Sequence, residues 1–168
     1  MAVEAVQENM TADGRVRVFA RNCEVRPVDA RTASLFWTTH HPLGSVSCDY
    51  RFGLYVCREG HASLPPGTLV AVSGFSGPRR WDKGGRQIRS YEWVRHASLD
   101  GVQVIGGMGK ALQAFVRETD PDDIMSYADL SRSQGAVYAR LGFVREGTKS
   151  FPGGAASAKY RLKRVVYE

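Results

Sequence analysis

Alternation of apolar and polar side chains dominates this chain and predicts a protein built mainly from β-strands. Strands are predicted over 15–28 (one or two strands), 50–57, 67–75, 90–99, 123–128, 143–149 and 158–167. In the last range, the pattern points Tyr160 and Leu162 to the core, and Arg161 with the lysines on either side of it to solvent.

Two kinds of turn separate these strands. The segment REGHASLPPG at 58–67 is a turn by composition. The arm SGPRRWDKGGRQI at 76–88 carries Gly84-Gly85, a pair typical of a β-hairpin.

A helical period replaces the alternation in three places. Residues 29–40 predict a helix with Asp29 as its N-cap, which Pro42 ends. Residues 107–118 place apolar side chains on one face at helical spacing, up to the Asp-Pro pair that follows. Residues 133–143 predict a short helix that begins near Ser131 or Ser133 and ends at Gly142. The elements together favour one α/β domain with a mixed, mostly antiparallel sheet.

The composition is that of a soluble globular protein. Of the 168 residues 43% are hydrophobic, and no run approaches the roughly 18 apolar residues of a membrane span. The polar start predicts a flexible tail over 1–14 and a single domain over 15–168. Three scattered cysteines favour neither a disulfide framework nor a metal site, so we expect a protein of the reducing cytoplasm that binds no metal.

Basic side chains are concentrated in one segment. The net charge is +6, and residues 78–93 hold five Lys/Arg against two acids. This excess predicts a polyanionic partner, tRNA or DNA, although a solvated face is the more common reason for a charge cluster. The residues predicted to contact nucleic acid are Arg79, Arg80, Trp81, Lys83, Arg86 and Arg89, with the tryptophan available for base stacking.

A glycine cluster precedes the second predicted helix. Glycines before a helix let backbone N–H groups approach a pyrophosphate at the positive end of the helix dipole, although close packing of helix on strand explains them nearly as often. The spacing is neither that of a P-loop nor that of a dinucleotide fold. The residues predicted to bind a phosphorylated ligand are Val104, Ile105, Gly106, Gly107, Met108, Gly109 and Lys110.

Two motifs resemble those of the GNAT superfamily of N-acetyltransferases. The stretch 104–109 is similar to the family's acyl-CoA loop, [QR]-x-x-G-x-[GA], with Val104 at the position of the Gln or Arg. The stretch 138–143 matches the later motif Y-x-x-x-G-F. The resemblance implies a GNAT fold with splayed central strands and an acyl-CoA donor, and it makes Tyr138 the acid that protonates the leaving thiolate.

A wider set of residues resembles a phage-associated GNAT-like branch that includes the Mom-type DNA modification proteins. The resemblance departs from the branch at Pro42, where an aromatic residue is frequent. The matching positions are His41, Gly44, Phe75, Pro78, Arg79, Gly106, Gly107, Lys110, Ser126, Tyr127, Asp129, Ser133, Gly135, Tyr138, Gly142 and Phe143. The branch implies a DNA base modifier as an alternative function and adds Ser133 to the donor-binding residues.

Acyl transfer to an amine requires a base for the amine proton and an acid for the leaving group. His41 and Asp129 are the candidate bases, and Arg79 is a candidate electrostatic clamp. Each has a structural alternative: a helix end for the histidine, a loop acid for the aspartate, a solvated cation for the arginine and a packed core residue for Tyr138.

The donor and the acceptor stay open at this level. An acyl-CoA and an acyl- or aminoacyl-tRNA both fit as donors, and a small amine or a polynucleotide fits as acceptor. The sequence also permits a non-catalytic nucleic-acid-binding module of the same fold, and it does not indicate an oligomeric state.

Overall fold

The computed structural model describes residues 10–58, 64–131, 135–150, 152–153 and 156–167. The chain forms two compact units. Unit 1 comprises Met1–Gly74 and Arg95–Glu118, and unit 2 comprises Phe75–Val94 and Thr119–Glu168. Most of the predicted tail and part of the predicted turn at 58–67 lie outside the described residues.

Ten strands and three α-helices form over the described residues. The strands are β1 (Val16–Phe19), β2 (Cys23–Pro27), β3 (Tyr50–Val56), β4 (Leu69–Phe75), β5 (Arg79–Lys83), β6 (Arg86–Ser98), β7 (Val102–Ile105), β8 (Asp123–Asp129), β9 (Val144–Ser150) and β10 (Ala156–Lys163). The helices are α1 (Ala30–His40), α2 (Gly107–Thr119) and α3 (Ala136–Arg140). The predicted α/β class with a mixed, mostly antiparallel sheet is confirmed. Strand β7 lies outside every predicted strand, and β5 lies in the arm predicted as a hairpin.

Unit 1 is held by two sheets and two helices. Strands β2, β3 and β4 lie side by side with the end of β6, and β1 pairs in parallel with β7. Helix α1 begins at Asp29, whose carboxylate accepts from the Thr32 N–H at 2.7 Å, as predicted. The buried Trp37 of α1 donates its indole N–H to the Val72 carbonyl at 3.1 Å, which fixes the helix against β4.

In unit 2, two neighbouring strands of the sheet, β6 and β8, run parallel. The first part of β6 pairs with β8 in parallel, β8 pairs with β10 and β10 with β9, both antiparallel. The predicted hairpin is confirmed: β5 turns into β6 through Gly84 and Gly85, both at positive φ (59° and 80°).

The predicted exposure of Arg161 is wrong. Its side chain is 5% exposed, with Nη1 at 2.9 Å from Asp123 Oδ1 and Nε at 2.9 Å from the Glu146 carboxylate. A buried guanidinium is tolerated here because two carboxylates neutralise it. The alternating pattern therefore predicted a solvent-exposed side chain at a position that forms a buried ion pair.

The last helix begins slightly later than the predicted start near Ser131 or Ser133. Gly135 is the N-cap of α3 and, among the residues that the structure describes, gives the helix no side-chain cap. Gly135 has φ +71°, and a Cβ there would lie 2.2 Å from the Tyr160 hydroxyl oxygen. Close approach of the tyrosine therefore requires glycine at this position. Ser133 lies outside the described residues, whereas the predicted Gly142 does follow the helix, at φ +93°.

Candidate active site

The parallel strands β6 and β8 stop pairing in the middle of unit 2. Their last paired residues are Glu92 and Met125, after which β8 continues its ladder with β10 only. At the next position, the Oγ of Ser126 lies 3.0 Å from the Trp93 carbonyl oxygen. A side-chain hydroxyl thus satisfies a carbonyl that a backbone N–H would satisfy in a continued ladder.

Tyr138 of α3 reaches this point of separation. Its hydroxyl oxygen lies 2.9 Å from Ser126 Oγ. Serine has one hydroxyl proton, so it donates either to the Trp93 carbonyl or to the phenol. In the first case the phenol donates to Ser126; in the second the phenol accepts, and its own proton is available to another acceptor. Ser126 therefore holds the phenol by a hydrogen bond whether the phenol is the donor or the acceptor.

Aromatic rings fix the orientation of Tyr138. Its ring stacks on Tyr160 at 5.3 Å between centroids and contacts Phe143 edge-on at 5.5 Å and Trp93 edge-on at 6.0 Å. Burial raises the pKa of the phenol, and the hydrogen bond with Ser126 opposes this only in part. The phenol is therefore in its acid form near neutral pH. Its partner is a side-chain hydroxyl and not the backbone carbonyl expected of a merely packed tyrosine.

Glu92 is a titratable residue of the site that the sequence analysis missed. It is half-buried on β6, one residue before Trp93. Burial raises the pKa of its carboxyl, while the nearby charges of Arg79 and Lys149 lower it less strongly. The only signal in the sequence was a lone acid between aromatic residues in the predicted strand 90–99. Arg79, the predicted clamp, is exposed on β5 and acts electrostatically on this carboxyl.

Asp129, one of the two predicted bases, ends strand β8. Its Oδ1 accepts from the Ser131 N–H at 2.9 Å and from the Ser131 hydroxyl at 2.6 Å. This Asx turn agrees with the structural alternative of a loop acid. Its catalytic role stays a prediction.

His41, the other predicted base, belongs to unit 1, where it follows α1. Its Nδ1 accepts from the Leu43 N–H at 3.0 Å, so the neutral ring carries its proton on Nε2. The neighbouring His40 instead places Nδ1 at 3.1 Å from Asp100 Oδ2. Over the residues that the structure describes, no group of three potential ligands could hold a metal ion.

The glycine cluster forms the beginning of α2 in unit 1. The carbonyl oxygen of Gly106, a residue at φ +77°, accepts a hydrogen bond from the backbone N–H of Lys110 at 3.1 Å. This is the first hydrogen bond of the helix, so the amides of 107–109 have no acceptor within it. A Cβ at Gly107 would lie 2.8 Å from the Val104 side chain, so glycine is required for helix and strand to approach. The cluster thus serves close packing, and its first amides have no acceptor within α2.

Lys110 and Val104 depart from the expected donor contacts. The ammonium of Lys110 donates to the carbonyls of Ala20, at 2.8 Å, and Cys23. Val104 packs against the apolar core of unit 1, while Ile105 is exposed. Most of the donor capacity of the lysine is thus used inside unit 1, and its contact with a phosphate stays a prediction.

The β5–β6 hairpin of unit 2 carries most of the predicted nucleic-acid contacts. Arg79, Arg80, Lys83 and Arg86 are exposed, whereas one face of the Trp81 ring is covered by the Arg161 guanidinium at 4.8 Å. The remaining member of the set, Arg89, has a structural task. Its guanidinium donates to the carbonyls of Thr119, at 3.3 Å, and Asp120. Its backbone N–H donates to the Asp122 carboxylate at 2.8 Å.

Comparison with known proteins identifies the fold. No protein-family model matches the chain, and no curated protein sequence matches it. Solved acetyltransferase structures do match: one from Bacillus subtilis in complex with CoA (13% identity, TM-score 0.58, 85% of this chain and 99% of that chain) and a ribosomal-protein-S5-alanine acetyltransferase from Vibrio fischeri (13%, 0.59, 88% and 96%). A spermidine N-acetyltransferase from Vibrio cholerae is similar as well (12%, 0.55, 86% and 95%). The chain has the GNAT fold.

The comparison therefore confirms the GNAT fold that the resemblance of the two motifs implied. The likeness to the Mom-type branch stays a hypothesis. None of the helices in the described part of the chain has the length and apolar character needed to cross a membrane.

Proposed function

We propose that this protein is an acyltransferase that transfers an acyl group from an activated donor to an amine. One observation carries the proposal: the phenol of Tyr138 lies on Ser126, where β6 and β8 separate. A cleft between two parted strands gives access to the sheet interior, and a protonated phenol there can supply the proton that a leaving group needs. The likeness to acetyltransferase structures supports this assignment.

The proposed roles follow from charge and burial. Tyr138 is the general acid, since burial keeps it protonated. Glu92 is added to the candidate bases, since its raised pKa brings it closer to the pH at which a carboxylate accepts protons efficiently. The amides at 107–109, which have no acceptor within α2, would bind the phosphates of an acyl-CoA, whose thioester supplies the activated acyl group. His41 and Asp129 remain the other candidate bases.

The direct test is an acyl-transfer assay with acetyl-CoA and a panel of amines. The panel includes spermidine and an alanine-bearing peptide of ribosomal protein S5, after the names of two similar acetyltransferases. We expect thiol release with at least one amine and its loss in Tyr138→Phe. Tyr55→Phe, a change on β3 in unit 1, is the matched control. Activity that is equal in wild type and Tyr138→Phe would remove the tyrosine from the mechanism.

A nucleic acid as donor or acceptor is the second candidate, supported by the exposed cations of the β5–β6 hairpin. A charged tRNA leaves as a ribose alkoxide, which is more basic than a thiolate and depends more on an acid such as Tyr138. We expect tRNA or duplex DNA to bind with an affinity that falls as salt rises. Arg80→Gln with Arg86→Gln should reduce the log–log salt slope by about 0.7 to 0.9 for each lost phosphate contact. Arg117→Gln on α2 is the control.

Two further alternatives predict different products. A Mom-like DNA base modifier would leave an adenine adduct in DNA from cells that express the protein, detectable by mass spectrometry of nucleosides. A non-catalytic module would bind nucleic acid without consuming any donor. The cytoplasm is the proposed location, and it fits the three cysteines, Cys23, Cys48 and Cys57, which are not in disulfides.

A further inference from the structure

The carboxyl of Glu92 belongs to a charged face of the sheet in unit 2. Side chains alternate between the two faces along β6, so Glu92 points away from Trp93, whose ring contacts Tyr138 on the side of α3. Glu92 and Met125 form the last pair of the β6–β8 ladder, so the carboxyl borders the point where the two strands part. The residues that share its face therefore indicate which kind of amine could reach it.

A positively charged side chain lies on each side of Glu92 on this face. On β5, Arg79 pairs with Ser90, two residues before Glu92, so the two long side chains are on the same face and within reach of each other. On the other side, the ammonium of Lys149 from β9 lies 5.6 Å from the centre of the Tyr127 ring of β8. Across the sheet, the order is thus cation, carboxyl, aromatic ring and cation.

The accessibility of these groups differs from that of the other charges nearby. Arg79 and Lys149 are exposed, and Glu92 is half-buried. In contrast, Arg161 is buried between the carboxylates of Asp123 and Glu146, each at 2.9 Å. The acid that ends β8 accepts two hydrogen bonds within its own turn. An incoming amine would therefore meet the two exposed cations beside the carboxyl.

We propose that the acceptor is a small amine that carries a carboxylate, as an amino acid does. With its amine at Glu92, such a molecule directs its carboxylate towards Lys149 or Arg79, so that opposite charges meet. The two cations are then balanced by Glu92 and the carboxylate of the ligand. A polyamine would instead bring further positive charge towards both cations. The inference rests on the proposed function, because it names the acceptor of that reaction.

A series of acceptors that differ only in the charge of the far end tests the proposal. The series comprises ω-amino acids from β-alanine to 6-aminohexanoate, each with its amide and with the diamine of the same length. The measurement is kcat/KM with acetyl-CoA at constant ionic strength, corrected for the fraction of neutral amine. At the best length, we expect the acid to exceed the amide by about two- to fivefold for each cation that it meets, and the diamine to be the poorest.

Variants of Lys149 test the source of this preference. Lys149→Gln should lower the ratio of acid to amide, and Lys149→Glu should lower it further and raise the relative rate of the diamine. Each ratio compares two acceptors on one variant, so a change in the basicity of Glu92 cancels. Arg145→Gln is the matched control: it removes a positive charge from the same strand, but Arg145 pairs with Tyr160, whose ring stacks on Tyr138 on the other face. This control should leave the ratio unchanged.

Calorimetric binding of the same amines without a donor separates this inference from the proposed function. Acyl transfer with amides or diamines preferred over the acids would keep the function and overturn the inference, as would a ratio that is the same in wild type, Lys149→Gln and Lys149→Glu. Selective binding of the acids that Lys149→Glu abolishes, without any transfer, would keep the ligand class and refute acyl transfer. Neither transfer nor selective binding would overturn both.

Discussion

The hydroxyl of Tyr138 lies 2.9 Å from the Oγ of Ser126, so a residue of the short helix α3 is fixed to a strand at the position where that strand leaves its parallel neighbour. A helix of five residues with no side-chain cap has little stability of its own. The hydrogen bond and the stacked ring of Tyr160 therefore hold the phenol. The hydrogen bond fixes the position of the hydroxyl group, which packing of the ring in an apolar core alone would not do.

Tyr138→Phe should abolish most activity while leaving the fold intact. A positioned general acid contributes about 10²- to 10⁴-fold, so kcat should fall within that range. Stability should change by no more than about 1.5 kcal/mol, because the ring contacts remain and Ser126 can still donate to the Trp93 carbonyl. Urea unfolding and steady-state kinetics on the same preparation would check both statements.

The matched variant Ser126→Ala removes the anchor and keeps the acid. We expect a smaller loss of kcat than in Tyr138→Phe, because the phenol can still donate but is held by its ring contacts alone. A loss in Ser126→Ala larger than that in Tyr138→Phe would contradict the assignment of the acid to the tyrosine.

Glu92 should set the acid limb of the pH profile with small amine acceptors. A base must be deprotonated, and burial raises the pKa of this carboxyl above its ordinary value of 4.5, so activity should rise with pH at values above that. Arg79 lowers the same pKa, so Arg79→Gln should move the limb to higher pH, and Lys149→Gln should move it the same way by less. The measurement is log kcat/KM against pH.

Glu92→Gln provides the decisive control for this assignment. It should remove the acid limb together with most of the activity. A limb that stays in place in Glu92→Gln would assign the titration to another group, with His41 and Asp129 as the remaining candidates.

Local patterns in the sequence were sufficient for most of the fold. The Asp29 cap and the Gly84-Gly85 turn depend on residues close in sequence, and both are confirmed. Strand β7 was missed because 102–105 is too short to show alternation before the glycine cluster, and its partner β1 is distant in sequence. Arg161 was misplaced because its carboxylate partners come from other strands, which no single-strand pattern reveals.

The candidate site was harder to predict than the fold. Tyr138 could be chosen because its motif includes the glycine and phenylalanine that follow. Glu92 could not be chosen, because burial is a property of the folded chain. The amides at 107–109 were predicted from glycines alone, but the internal bonds of Lys110 were not.

His96 should make the stability of the fold depend on pH. Its Nδ1 lies 2.5 Å from the Ser73 hydroxyl in unit 1, and burial, with a smaller contribution from His41, lowers its pKa from 6.5 to about 4. As pH falls from 6.5 towards 4, the unfolded chain takes up a proton that the folded chain refuses, so stability present above pH 6.5 is lost. The loss would reach about 3 kcal/mol.

Urea unfolding at pH 7 and pH 4.5 would measure this effect. His96→Asn, which does not titrate, should flatten the dependence in this window, even if it lowers stability at pH 7. His41→Asn should weaken the dependence slightly, because it removes a charge that opposes protonation of His96. A wild-type difference that is unchanged in His96→Asn would show that other groups cause it.

Replacing only one partner of the ion pair between Arg161 and Asp123 should lower the free energy of unfolding strongly. Asp123 is fully buried, and Arg161→Met would leave its carboxylate without the opposing charge of the guanidinium, while Ser90 and Tyr167 still donate hydrogen bonds to it. We expect a loss of about 3 to 5 kcal/mol in the free energy of unfolding at pH 7.

The double variant Arg161→Met with Asp123→Asn separates the cost of an unpaired charge from the worth of the pair. Neutralising both partners removes the uncompensated charge, so the double variant should recover part of the stability lost in Arg161→Met. A double variant less stable than the single one would mean that the two side chains stabilise unit 2 mainly through packing and hydrogen bonds rather than through charge.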